Sequence, residues 1–135
     1  MKKVVPSIFV VLLFALACAG ERGPVETVDD FLQAFKDVDK EGALMTIYSG
    51  NVDTDIQEYF HETWGSVESG AVTVEEWSEP KVVDTEKVNE EGVDVLEVAR
   101  VETEVTVVQD GEKDTDTIEF EVVRNEYGWF VFEMD

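Results

Sequence analysis

The side chains that could carry chemistry are few in kind: one cysteine, one histidine, three tyrosines and 32 acids among 135 residues. Cys18 has no partner for a disulfide. His61 stands alone, and with no second histidine or spare cysteine it cannot assemble a zinc site. Two acidic runs have nearly the spacing of a calcium loop. Asp37, Asp39, Glu41 and Gly42 match its opening positions, but Tyr48 falls where a bidentate glutamate must close it. Asn51, Asp53, Asp55 and Glu62 supply the acids of a second loop, but Ile56 replaces its obligatory glycine. Both runs read as a helix–helix loop and a helix cap, so no metal ligand is assigned. No glycine-rich phosphate loop, nucleophile motif or cofactor fingerprint is found, and no cofactor is expected.

Cys18 gains meaning from what precedes it. Lys2 and Lys3 form a cationic start, and Val4 to Ala17 is almost wholly apolar. Ala17, Ala19 and Gly20 are small. That order is an export leader, with an apolar stretch shorter than the roughly 20 residues a spanning helix needs. Ala15-Leu16-Ala17-Cys18 resembles a bacterial lipobox, with its leucine one place late. Cleavage before Cys18 would leave a thiol for acylation, and each buried CH2 of the lipid contributes about 0.8 kcal/mol to anchoring. The rival is an ordinary cut after Ala19, which discards the cysteine. The expected division is a leader over residues 1–17, a lipidated tether over 18–24 and one domain over 25–135. Ala19, where an aspartate would mark inner-membrane retention, places a lipoprotein of a two-membrane bacterium at the outer membrane facing the periplasm.

The formal charge is −22, and it becomes −24 when Lys2 and Lys3 leave with the leader. Such a surface repels phosphate backbones, so nucleic acid is excluded as a partner. The acids are spread rather than clustered, which describes a solvated coat, with a cation-binding surface as the alternative. The chain is still 44% hydrophobic, with clear periodicity, so it packs a core.

The elements follow from that periodicity. Val25, Val28, Phe31, Leu32, Phe35 and Val38 recur at helical spacing behind Pro24. A short second helix is expected over 43–48. A third, capped by Asp53 or Thr54, turns Ile56, Tyr59, Phe60 and Trp64 inward and ends at Gly65. After Gly70 the period falls to two. One strand runs to about Trp77, and Pro80 separates it from another over 81–88. A long strand over 93–109 meets a second at Asp110-Gly111, the strongest hairpin signal. Ile118, Phe120 and Val122 form the next inward row, then Phe130, Phe132 and Met134. Helices followed by an antiparallel meander make an α+β fold, the helices packing on the apolar face of a curved, cone-like sheet.

Glu26-Thr27-Val28-Asp29-Asp30-Phe31-Leu32-Gln33-Ala34-Phe35, Asp39-Lys40-Glu41-Gly42-Ala43-Leu44 leading to Tyr48-Ser49, and Gly128-Trp129-Phe130-Val131 carry a resemblance. In this order they are similar to small exported bacterial lipoproteins of unknown function with a nuclear-transport-factor-2-like (ketosteroid-isomerase-like) cone fold. The resemblance implies a pocket between helices and sheet, for which Tyr48, Tyr59, Trp64 and Trp77 are the candidates, although core packing is the favoured reading of Trp64. Enzymes of that fold set a carboxyl or hydroxyl group into an apolar pocket, which makes Tyr48, Tyr59 and Asp84 the candidates for acid–base work. Core packing or a solvated carboxylate is the better account of each of them. The expected role is therefore non-catalytic: a membrane-tethered domain holding a small apolar ligand or a protein partner, with a homodimer through the exposed sheet face as one arrangement. An isomerase-like enzyme of the same fold and an acidic cation-binding surface protein are the alternatives.

Overall fold

The computed structural model describes residues 22–135. The expected export leader, Cys18 and the start of the expected tether lie outside the described residues. Three helices come first: α1 (Pro24–Lys36), α2 (Lys40–Leu44) and α3 (Ile56–Glu68). Five strands follow: β1 (Val72–Trp77), β2 (Lys81–Lys87), β3 (Glu97–Gln109), β4 (Glu112–Asn125) and β5 (Gly128–Met134).

Helix α1 starts where Pro24 needs no N–H partner, and the Glu26 carboxylate accepts the Gly23 N–H at 2.8 Å. Its buried face is Thr27, Val28, Phe31, Leu32, Ala34 and Phe35. Val25 and Val38 do not join it as the periodicity suggested. Val25 is partly exposed. Val38 lies beyond the helix end, 46% exposed, with φ of 54°. Helix α2 begins three residues before the expected start at Ala43, because the Asp39 carboxylate accepts the Gly42 N–H and caps it there. Residues 46–48 are consequently not helical. They lie along the outer edge of β5, with Tyr48 N–H donating to the Val131 carbonyl at 2.9 Å and Val131 N–H to the Thr46 carbonyl at 2.7 Å.

Helix α3 buries Ile56, Phe60, Trp64 and Val67 and leaves Tyr59 46% exposed. It runs through Gly65, and the left-handed residue beyond its end is Gly70, with φ of 83°. Neither Asp53 nor Thr54 is the N-cap residue; Asp55 holds that position, while the Thr54 hydroxyl donates to the Phe132 carbonyl at 2.6 Å.

The sheet order is β1-β3-β4-β5, with β2 also against β3. Strands β1 and β2 share one edge of β3 end to end, β1 beside 105–109 and β2 beside 97–102. Ser78 holds the break between them, its N–H donating to the Glu104 carbonyl at 2.9 Å. The meander is therefore strict only from β3 to β5. Strand β3 starts at Glu97 rather than Val93. Asp110 and Gly111, with φ of 52° and 84°, form the two-residue turn into β4, a conformation Gly111 takes without steric cost.

Alternation along β3 sets Ala99, Val101, Thr103 and Val105 toward the helices and Arg100, Glu102 and Glu104 toward solvent. Phe31, Phe35, Phe60, Trp64 and Phe120 pack edge to face or stacked in the core between helices and sheet. On β5 the inward residue is Val131, fully buried, not Phe130 and Phe132. Those two phenylalanines face a smaller second cluster with Tyr48, Val95 and Val123. A register shift opposite Glu121 and Val122 returns Met134 to the main core.

Candidate functional site

The two long helices cover the concave sheet face incompletely. Where they leave it, a cleft of about 430 Å³ opens between α1, α3 and strands β1, β3 and β4. Phe31, Leu32 and Phe35 of α1 form one wall. Val74, Val105, Val107, Ile118 and Phe120 form the floor. Tyr59, Thr63 and Ser66 bring hydroxyls along the α3 side. Gln109, Asp114 and Asp116 stand where β3 and β4 run on beyond the helices. The pairing register explains why these acids share a face with valines: Val105 lies opposite Asp116, and Val107 opposite Asp114. A neighbouring depression of about 310 Å³ shares Tyr59, Ile118 and Met134 with the cleft.

Of the four residues assigned to a pocket, only Tyr59 lines this cleft. Trp64 is 4% exposed and lies in the core, stacked on Phe60 with ring centroids 5.1 Å apart, because its helical position turns it inward from the cleft wall. Trp77 is at the end of β1, where its indole N–H donates to Asp29 at 2.9 Å and the Lys36 ammonium lies 6.0 Å from the ring centroid. Tyr48 belongs to the second cluster.

That second cluster is closed by a clasp between two loops. The Tyr48 hydroxyl donates to Asp94 and accepts the Val52 N–H at 2.9 Å. Asn51 donates to the Gly92 carbonyl at 2.8 Å and accepts the Asp94 N–H at 2.9 Å. A Cβ at Gly50 would collide with both Tyr48 and Asp94, so only glycine fits there. Burial, then the Asp94 carboxylate, push the Tyr48 hydroxyl above its ordinary pKa.

The acid–base candidates do not converge. Tyr48 is in the clasp, Tyr59 is at the cleft, and Asp84 is on exposed β2, paired with Arg100 at 3.1 Å. His61 is exposed on α3, its ring edge-on to Phe60. Asp37 accepts from the Gln33 amide and Asp39 caps α2, so the first acidic run is spent on local helix structure. No group of three or more His, Cys, Asp or Glu among the described residues is placed to hold a metal ion. No helix among them is long and apolar enough to cross a membrane.

On the outer sheet face, Arg100, Glu119, Glu121 and Glu133 line a shallow polar depression of about 390 Å³. Glu121 and Glu133 are direct cross-strand partners. Burial, then the Glu133 charge, raise the Glu121 carboxyl above its ordinary pKa.

Sequence reasoning missed Asp114 and Asp116. Their signal was parity: they stand four and two residues before Ile118, in the inward row of the same strand. The Asn51–Asp94 contact had no local signal, because 43 residues separate the partners.

No family model matches the chain, and no curated protein matches it. Among solved structures, a protein of unknown function with a cystatin-like fold from Nostoc punctiforme superposes with a TM-score of 0.51 at 15% identity, over 81% of this chain and 83% of that one. A five-substitution variant designated Rd1NTF2_05 superposes at 0.49 with 13% identity, over 82% and 90% of the two chains. The intermembrane space region of the chloroplast protein ARC6 does so at 0.49 with 12% identity, over 84% and 96%. At 15% identity the likeness to the first of these is one of fold, and it agrees with the geometry: the chain is an α+β protein of the cystatin-like kind, helices first and then a curled antiparallel sheet.

Proposed function

We propose that this chain is an exported, lipid-anchored domain that holds a small apolar ligand in the cone's cleft without transforming it. The observation that carries the reading is the cleft itself. Valines, Ile118 and three α1 side chains line a space of about 430 Å³, within the size of small-molecule sites. Much of that lining is already buried, and the apolar surface a ligand would cover is offered by Val72, Val107, Ile118 and Met134. Catalysis is disfavoured by placement, since isomerase chemistry needs a desolvated acid or base beside a hydroxyl in one apolar pocket. Here the carboxylates at the cleft are exposed, and Tyr48 and Asp84 are elsewhere. The leader and Cys18 support the anchored, envelope location.

Two measurements test the reading. A neutral environment-sensitive dye such as Nile red should bind the purified domain saturably, and Val107→Trp, which fills the cleft from β3, should abolish binding while the protein still melts cooperatively. Equal binding by the variant overturns the cleft as the site. For the anchor, mass spectrometry of the N-terminus should find diacylated Cys18; an N-terminus beginning beyond Ala19 overturns it.

A further inference from the structure

We infer that the cleft selects a cationic amphiphile, an apolar body carrying a protonated amine, with Asp114 and Asp116 as the carboxylates that receive the amine. This rests on the reading of the cleft as a ligand site and adds the class of ligand.

The alternation of β4 decides which of its acids meet the cleft. Its inward row runs Asp114, Asp116, Ile118, Phe120 and Val122. Its outward row over the same outer half is Lys113, Thr115 and Thr117. A strand coated for solubility places its acids outward, as β3 does with Glu102 and Glu104. Here the order is reversed: acids face the cleft, and a lysine and two threonines face away. The outward residues have partners of their own, Lys113 with Glu75 at 2.7 Å and Thr115 with the Thr106 hydroxyl at 2.7 Å. Asp114 and Asp116 take part in none of the ion pairs among the described residues. The cleft lining contains no Lys, Arg or His to neutralise them. Two residues apart on one strand face, the carboxylates are about 7 Å from each other, close enough for one ammonium to be drawn to both. The valines opposite them, Val105 and Val107, continue directly into the apolar floor. An amine at the strand end with its hydrocarbon along β3 therefore satisfies both parts of the cleft. An anionic amphiphile of the same length would place its charge against two carboxylates.

The test compares decylammonium, decanol and decanoate, each below its micelle concentration, by calorimetry or Nile red displacement at low salt. Decylammonium should bind about tenfold more tightly than decanol, a preference equivalent to one power of ten in Kd, and decanoate more weakly than either. The double variant Asp114→Asn/Asp116→Asn should bring amine and alcohol to within about twofold, because the local charge is gone. Glu90→Gln/Glu91→Gln, which removes the same charge from the distant exposed turn, should keep the preference. Equal loss of preference in both double variants overturns the inference, since net charge would then be the cause. Equal binding of decylammonium and decanol to the unaltered protein also overturns it while leaving the cleft as an apolar site. Binding of none of the three overturns the cleft reading together with the inference.

Discussion

Tyr48 shows how one hydroxyl can close a loop structure. Its ring is wholly buried on Phe132, Val95 and Val123, and its oxygen serves both Asp94 and the Val52 N–H. Tyr48→Phe keeps the ring and removes both bonds, so it should cost about 1–3 kcal/mol in urea unfolding, the range for stranding a buried polar group. The same bond sets a pH limit. With the hydroxyl pKa raised by folding, the clasp's contribution is complete below the ordinary tyrosine value and is lost as pH rises through the raised one. Glu121 behaves in the same sense at the acid end. Its raised carboxyl pKa means that its contribution is fully present below the ordinary glutamate range and falls away as pH rises through the raised value, when its own charge is set against that of Glu133. Glu121→Gln should therefore raise the melting temperature near neutral pH, with the gain vanishing below the carboxylate range; calorimetry across pH checks this. Neither residue could be read correctly in advance. Tyr48 has a helical-looking context, and only the early Asp39 cap, which ends α2 at Leu44, frees it to lie along β5.

Among the elements, local pattern was a good guide wherever one face is buried against one neighbour. The period-two rows of β3 and inner β4 and the central residues of α1 fell where their spacing put them. Pattern failed at element ends and wherever both faces are covered. Strand β5 buries Val131 on one side and presents Phe130 and Phe132 to a second cluster, so no single apolar parity marks its inward face. A pocket between helices and sheet was implied only by the family resemblance, and three of its four assigned residues pack outside the cleft, because an aromatic residue's type does not fix which layer it enters. The end of α1 carries a consequence for stability. Val38 is held at positive φ, where a β-branched side chain is strained, and it is half-exposed, so it loses little apolar burial by replacement. Val38→Gly should stabilise the protein by about 1 kcal/mol, the typical left-handed penalty relieved less the added chain entropy, with Val38→Ala gaining less. Equilibrium urea unfolding of the two variants measures it.

At the scale of the molecule, a sheet longer than its covering helices produces the cleft. Strands β3 and β4, of 13 and 14 residues, extend past α1 and α3, of 13 residues each at less than half the rise per residue. What the helices cannot reach remains an apolar trough with two carboxylates at its end. The acidity of the chain was plain from composition, yet composition could not tell coat from site, since that depends on which face of β4 each aspartate occupies. The direct measurement is a methyl-NMR titration of the domain with decanol. Val74, Val105, Val107 and Ile118 should shift progressively to saturation, while Val88, Val95, Val98 and Val123 of the second cluster stay in place. Shifts confined to the second cluster, or no saturable shifts in the cleft, would contradict the account.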